Sequence, residues 1–121
     1  MSTLFLIGQI LLGAYFVQSG LMHFMKLEMM GGYAKSKNVP AAKLAVLVSG
    51  LMLLAGGLGI LFQMYLVWAY GLLVAFLIVA AIMMHAFWKD TDANAKMGNM
   101  INFQKNIALA SALLMLLVLQ S

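Results

Sequence analysis

Four long apolar runs, at about 4–25, 43–62, 64–88 and 101–119, constrain this 121-residue chain more than any other feature of its sequence. Each run is long enough to carry a helix across about 30 Å of hydrocarbon at about 1.5 Å of rise per residue. With 65% hydrophobic residues and a mean hydropathy of +1.04, the chain has too little interior as a water-soluble fold to hide its apolar side chains. A bilayer accepts them on the outside of a helix bundle as readily as on the inside. The expected fold class is all-α: a single transmembrane domain over 1–121 forming an integral membrane four-helix bundle with antiparallel neighbours. The first run has no basic stretch before it and no clear cleavage site, so a retained helix is expected. The second and third runs meet almost directly through Phe62, Gln63 and Met64, which requires a tight hairpin.

The charges sort to one side of this arrangement. Lys26, Glu28, Lys35, Lys37 and Lys43 flank the first long connection, and Lys89, Asp90, Asp92, Lys96 and Lys105 flank the second. Four antiparallel spans bring both connections to the same face. All seven lysines lie there, which by the positive-inside rule makes that face cytoplasmic and leaves the N-terminus, the Gln63 hairpin and Gln120–Ser121 outside. So thin an excess of positive charge is no nucleic-acid footprint and reads as a topology signal, with the lipid bilayer as the first partner. The stretch 26–37 spaces Leu27, Met30 and Ala34 as an interfacial amphipathic helix would, and a solvated loop fits it equally well. Pro40 suits the break before the second span.

Inside the spans, Gln9, Gly13, Phe16, Gly20 and His23 fall on one seam of the first helix. Trp68, Gly71, Ala75, Ile78, Ile82 and His85 do so in the third. Gly50 and Gly57, beside Ser49 and Gly56, give the second helix a small-residue face, and Ala108, Ser111 and Ala112 give one to the fourth. His23 and His85 are the two histidines, each near the lysine-rich end of a span. With Trp88, Lys105 and Asn106 they form the candidate cofactor-binding set, and Tyr33 and Gln18 are further neighbours from the sides. Lys105 also fits a simpler role, snorkelling to the interface.

The stripe Gly13, Gly20 leading to Gly20-Leu21-Met22-His23-Phe24, Pro40 before a glycine-rich second span, His85-Ala86-Phe87-Trp88 closing the third and Lys105-Asn106 opening the fourth together resemble the DoxX-like small membrane proteins over essentially the whole chain. The resemblance implies a four-helix protein of a bacterial-type inner membrane. Some relatives are subunits of thiosulfate:quinone oxidoreductase and others accompany membrane redox or detoxification systems. It supplies no catalytic signature, and the chain has no cysteine for thiol or persulfide chemistry.

Other motifs are weaker. Asp90-Thr91-Asp92-Ala93-Asn94 begins like a calcium loop but has Ala95 and Ile101 where glycine and glutamate belong, so a solvated turn with a helix cap is expected. Eight methionines, including Met22, Met25, Met83 and Met84, gather near the histidines, where thioethers could hold copper or simply fill space. Two readings follow. One is an accessory or anchor subunit of a quinone-linked redox system, meeting a redox partner protein or its own copies, with a quinone head group at the histidine level; haem between the histidines, or copper, ranks below quinone. The other is a membrane binding or transport protein for a small solute or metal ion.

Overall fold

The computed structural model describes residues 2–120; Met1 and Ser121 lie outside the described residues, and with Ser121 one end of the expected external terminus. The order is α1 Ser2–Met25, α2 Leu27–Ser36, α3 Ala42–Phe62, α4 Leu66–Met84, a short 3₁₀ turn Phe87–Lys89 and α5 Ala93–Gln120, with no strand among the described residues. Four stretches, Ser2–Met25, Ala42–Phe62, Leu66–Lys89 and Ala93–Gln120, are long and apolar enough to cross a membrane.

Glycine sets the tightest pairing. A Cβ at Gly57 would stand 2.8 Å from the Val17 amide nitrogen and 3.0 Å from the Gly13 carbonyl oxygen, and one at Gly20 would stand 2.9 Å from the Gly50 carbonyl oxygen. As positions rise along α1 their partners fall along α3. The two backbones therefore touch along a Gly13, Gly20, Gly50, Gly57 seam, where hydrogen side chains allow dispersion contact that any larger residue would prevent. Gly56 and Gly59 use another side of α3 in the same way, against Leu73 and Ala69 of α4. Phe16, Leu53, Ile60, Tyr70, Leu73 and Leu113 fill the common core.

The inner seam expected for the first helix is observed: Gly13, Phe16, Gly20 and His23 are buried, and Gln9 donates from Nε2 to the Leu61 carbonyl at 2.8 Å. The seam expected for the third is not. Trp68 is 74% exposed and Ile82 52%, and a Cβ on Gly71 would meet nothing within 4 Å. The face that turns inward carries Ala69, Tyr70, Leu73, Val74, Leu77 and Ala81. The small face proposed for the fourth span is corrected likewise: Ala108, Ser111 and Ala112 are exposed, and Asn99, Asn106, Ala110 and Leu113 point in. A helix apolar all round offers no contrast between its lipid and protein sides, so spacing alone does not choose the face.

The stretch 26–37 is helical in α2, with Gly31 and Ala34 buried. The segment 89–104, read as a polar connection, is mostly helix, because α5 starts at Ala93, where the Asp92 carboxylate accepts a hydrogen bond from the Ala95 amide at 2.9 Å. At 28 residues α5 is about 42 Å long, so its polar first turns extend past the hydrocarbon. The hairpin between α3 and α4 turns without glycine. Gln63 and Tyr65 both take left-handed φ, and the Gln63 and Met64 amides close the end of α3 on the Ile60 and Gly59 carbonyls.

Candidate functional site at the lysine-rich end

The last turn of α1 carries His23, 9% exposed, whose side chain lies over Gly50 of α3. Its Nδ1 is 2.7 Å from the Ser19 carbonyl oxygen. A carbonyl only accepts, so Nδ1 carries the hydrogen, and in the neutral form of the ring Nε2 has the lone pair. Phe76 of α4 meets the imidazole edge to face at 5.9 Å between centroids.

Asn106 stands on the inner face of α5 and is 5% exposed, yet its side-chain amide makes no hydrogen bond with a described residue. Among the described residues no fully enclosed side-chain nitrogen or oxygen lacks a partner. The Asn106 amide and His23 Nε2 therefore both end at an opening and are not sealed among apolar atoms. His23 lies over Gly50 of α3 and meets Phe76 of α4, while Asn106 stands three residues after Phe103, whose ring meets Phe87 beyond the end of α4. The backbones of α1 and α5 make no extended contact, nor do those of α1 and α4.

Nearer the loops is a second polar group. His85 caps the end of α4. Its Nδ1 is 3.5 Å from Asn99 Oδ1, and Asn99 donates from Nδ2 to Asp90 Oδ2 at 2.8 Å. The donation to Asp90 fixes the amide so that its oxygen faces His85, which makes Nδ1 the donor there too. Phe87, Trp88 and Phe103 pack edge to face beside this chain, with centroids 5.3 to 5.6 Å apart.

The five candidate residues thus divide. His23 meets Ser19 and Phe76, His85 meets Asn99, which also donates to Asp90, and Asn106 lies on the inner face of α5. Trp88 is 51% exposed in the aromatic trio, and Lys105 is exposed on the outer side of α5, within electrostatic reach of His85 as is Lys37. Gln18 and Tyr33 are exposed and do not close the site. Asn99, Phe103 and Phe76 belong to the two groups without having been singled out. The seven-residue steps Asn99, Asn106, Leu113 mark one face of a helix and were available as a signal, had the helix been started early enough. No three His, Cys, Asp or Glu side chains among the described residues gather for a metal ion.

Four apolar spans, glycine-to-glycine packing of the first two and a polar group closing one end define a multi-pass membrane protein. A DoxX family model matches residues 4–86, more than half of the chain, and the chain belongs to the DoxX family. The match ends at Ala86, so Asn99, Phe103 and Asn106 lie beyond it. No curated protein and no solved structure matches the chain.

Proposed function

We propose that this DoxX-family chain is an accessory or anchor subunit of a quinone-linked redox system, sits in a bacterial-type inner membrane with its lysine-rich face cytoplasmic, and receives a quinone head group between His23 and Asn106. A quinone supplies reversible two-electron, two-proton chemistry that no side chain of this chain offers. The protein's part is to hold and orient the ring and to manage a proton. Asn106 Nδ2 can donate to a ring carbonyl, and neutral His23, with Nδ1 committed to Ser19, can accept from a ring hydroxyl through Nε2. Phe76 supplies an apolar wall. The site fits such a ring in chemistry: one donor, one acceptor and one aromatic face in an otherwise apolar surround.

The observation that carries this reading is the Asn106 amide: the residue is 5% exposed and makes no hydrogen bond with a described residue, yet its polar atoms are not fully enclosed, so a ligand can reach and pair with them. The test is solvent extraction of protein purified gently from native membranes. Quinone should accompany the wild-type chain and fall at least tenfold in Asn106→Leu at unchanged helical content. Equal quinone in the two proteins would refute the reading.

A further inference from the structure

Away from the histidines, α2 and the start of α3 enclose a groove of about 570 Å³. Gly32, Ala42 and Leu44 line its apolar part, and Lys35, Lys43 and Glu28 lie at its polar part. A Cβ on Gly32 would meet nothing within 4 Å, so the space is left by the absence of side chains and not by poor packing of large ones. From this structure we infer that the groove is a binding site for an anionic phospholipid, its phosphate held by Lys35 and Lys43 and one acyl chain lying along α3.

Two observations choose that occupant. The first is charge. Lys43 pairs with Glu28 at 2.7 Å, but both side chains are well exposed, so the pair is weak and exchanges readily for a phosphate. Lys35 has no acidic partner among the described residues, and Lys26 and Lys37 flank the same helix. The uncapped start of α3 adds its positive end to that rim. The second is the surface that continues from the groove. Leu44, Val48, Leu51 and Leu58 are exposed at steps of four, three and seven along α3, one apolar track descending from the lysines into the span. Headgroup charge above and an acyl track below match a phospholipid, whereas a small free anion would use only the rim. Lysines at membrane depth next to an anionic leaflet are each worth about 1 kcal/mol, or roughly fivefold in affinity.

Native mass spectrometry of the detergent-solubilised full chain, titrated with phosphatidylglycerol or phosphatidylcholine of the same acyl chains, tests the inference. Phosphatidylglycerol should be retained in preference to phosphatidylcholine. Lys35→Gln and Lys43→Gln should each weaken it roughly fivefold, and Gly32→Leu should displace it by filling the groove without touching a charge. Lys96→Gln, on the same face but outside the groove, should leave retention unchanged, and thermal melting in detergent confirms that each variant is folded. Equal retention of the two lipids, unchanged binding in folded Lys35→Gln, Lys43→Gln and Gly32→Leu, an equal loss in Lys96→Gln, or displacement of the lipid by inorganic phosphate would each overturn it.

Discussion

Asn99 and Asn106 stand seven residues apart on one face of α5, both buried, and their amides are used in opposite ways. Asn99 spends its donor on Asp90 and its acceptor on His85, and so ties the turn after α4 to α5. Asn99→Ala strands a carboxylate and an imidazole at once and should lower stability by about 1–2 kcal/mol, measured by thermal or denaturant unfolding in detergent. Asn106 has no such bond to lose. Asn106→Leu should leave stability unchanged or raise it slightly, because the amide has no bond to a described residue to lose and its replacement is apolar and of similar size. If Asn106→Leu instead unfolds the bundle, the amide has a structural partner and the ligand reading fails with it. His23 and Asn106 were legible in the sequence because polar side chains stand out within apolar runs, where each has a cost. Asn99 was not, since it lies before the apolar run at 101–119, although the helix cap expected within 90–94 is observed at Asp92.

At the scale of elements, the glycines distinguish contact from mere presence. Gly57→Ala places a methyl against the Val17 amide and the Gly13 carbonyl, backbone atoms that cannot swing aside, and should destabilise the bundle by about 1–3 kcal/mol. Gly71→Ala meets open space and should be neutral or stabilising by up to about 1 kcal/mol through the helical preference of alanine. Unfolding of the two variants side by side checks the assignment, and equal effects would place the α1–α3 seam wrongly. The sequence revealed that seam because glycines seven residues apart on two neighbouring spans are a packing signal in their own right. It did not reveal the inner faces of α4 and α5. Around α4 large apolar residues stand on every side, and burial is decided by which neighbours arrive, a tertiary fact; on α5 the step from Asn99 to Asn106 begins before the apolar run at 101–119. The number and approximate limits of the spans were legible from hydropathy alone. The third span's helix proved shorter, ending at Met84, and the fourth longer, beginning at Ala93.

At the scale of the molecule, the topology gives the bundle two unlike ends. Gln63 donates to the Ile60 carbonyl, while Gln120 accepts from the Tyr70 hydroxyl and reaches toward Gln63, a neutral amide network joining the hairpin to the end of α5. The opposite end carries the lysines, the histidines and α2. Single cysteines at Ser36 and Asn94 should react with an impermeant maleimide from the cytoplasmic side and one at Ser2 from the outside; the reverse pattern would invert the orientation. The seam between α1, which carries His23, and α5, which carries Asn106, has no extended backbone packing. If one ring occupies that seam, His23 and Asn106 act on a common ligand and their contributions are not independent. A double-mutant cycle of His23→Ala and Asn106→Leu, read as the affinity of the folded proteins for a short-chain quinone, tests this most directly. Each substitution should weaken binding, and the two should be coupled by at least about 0.5 kcal/mol, because the second removes a contact the first has already loosened. Strictly additive losses, or unchanged affinity in both single variants, would contradict a common ligand.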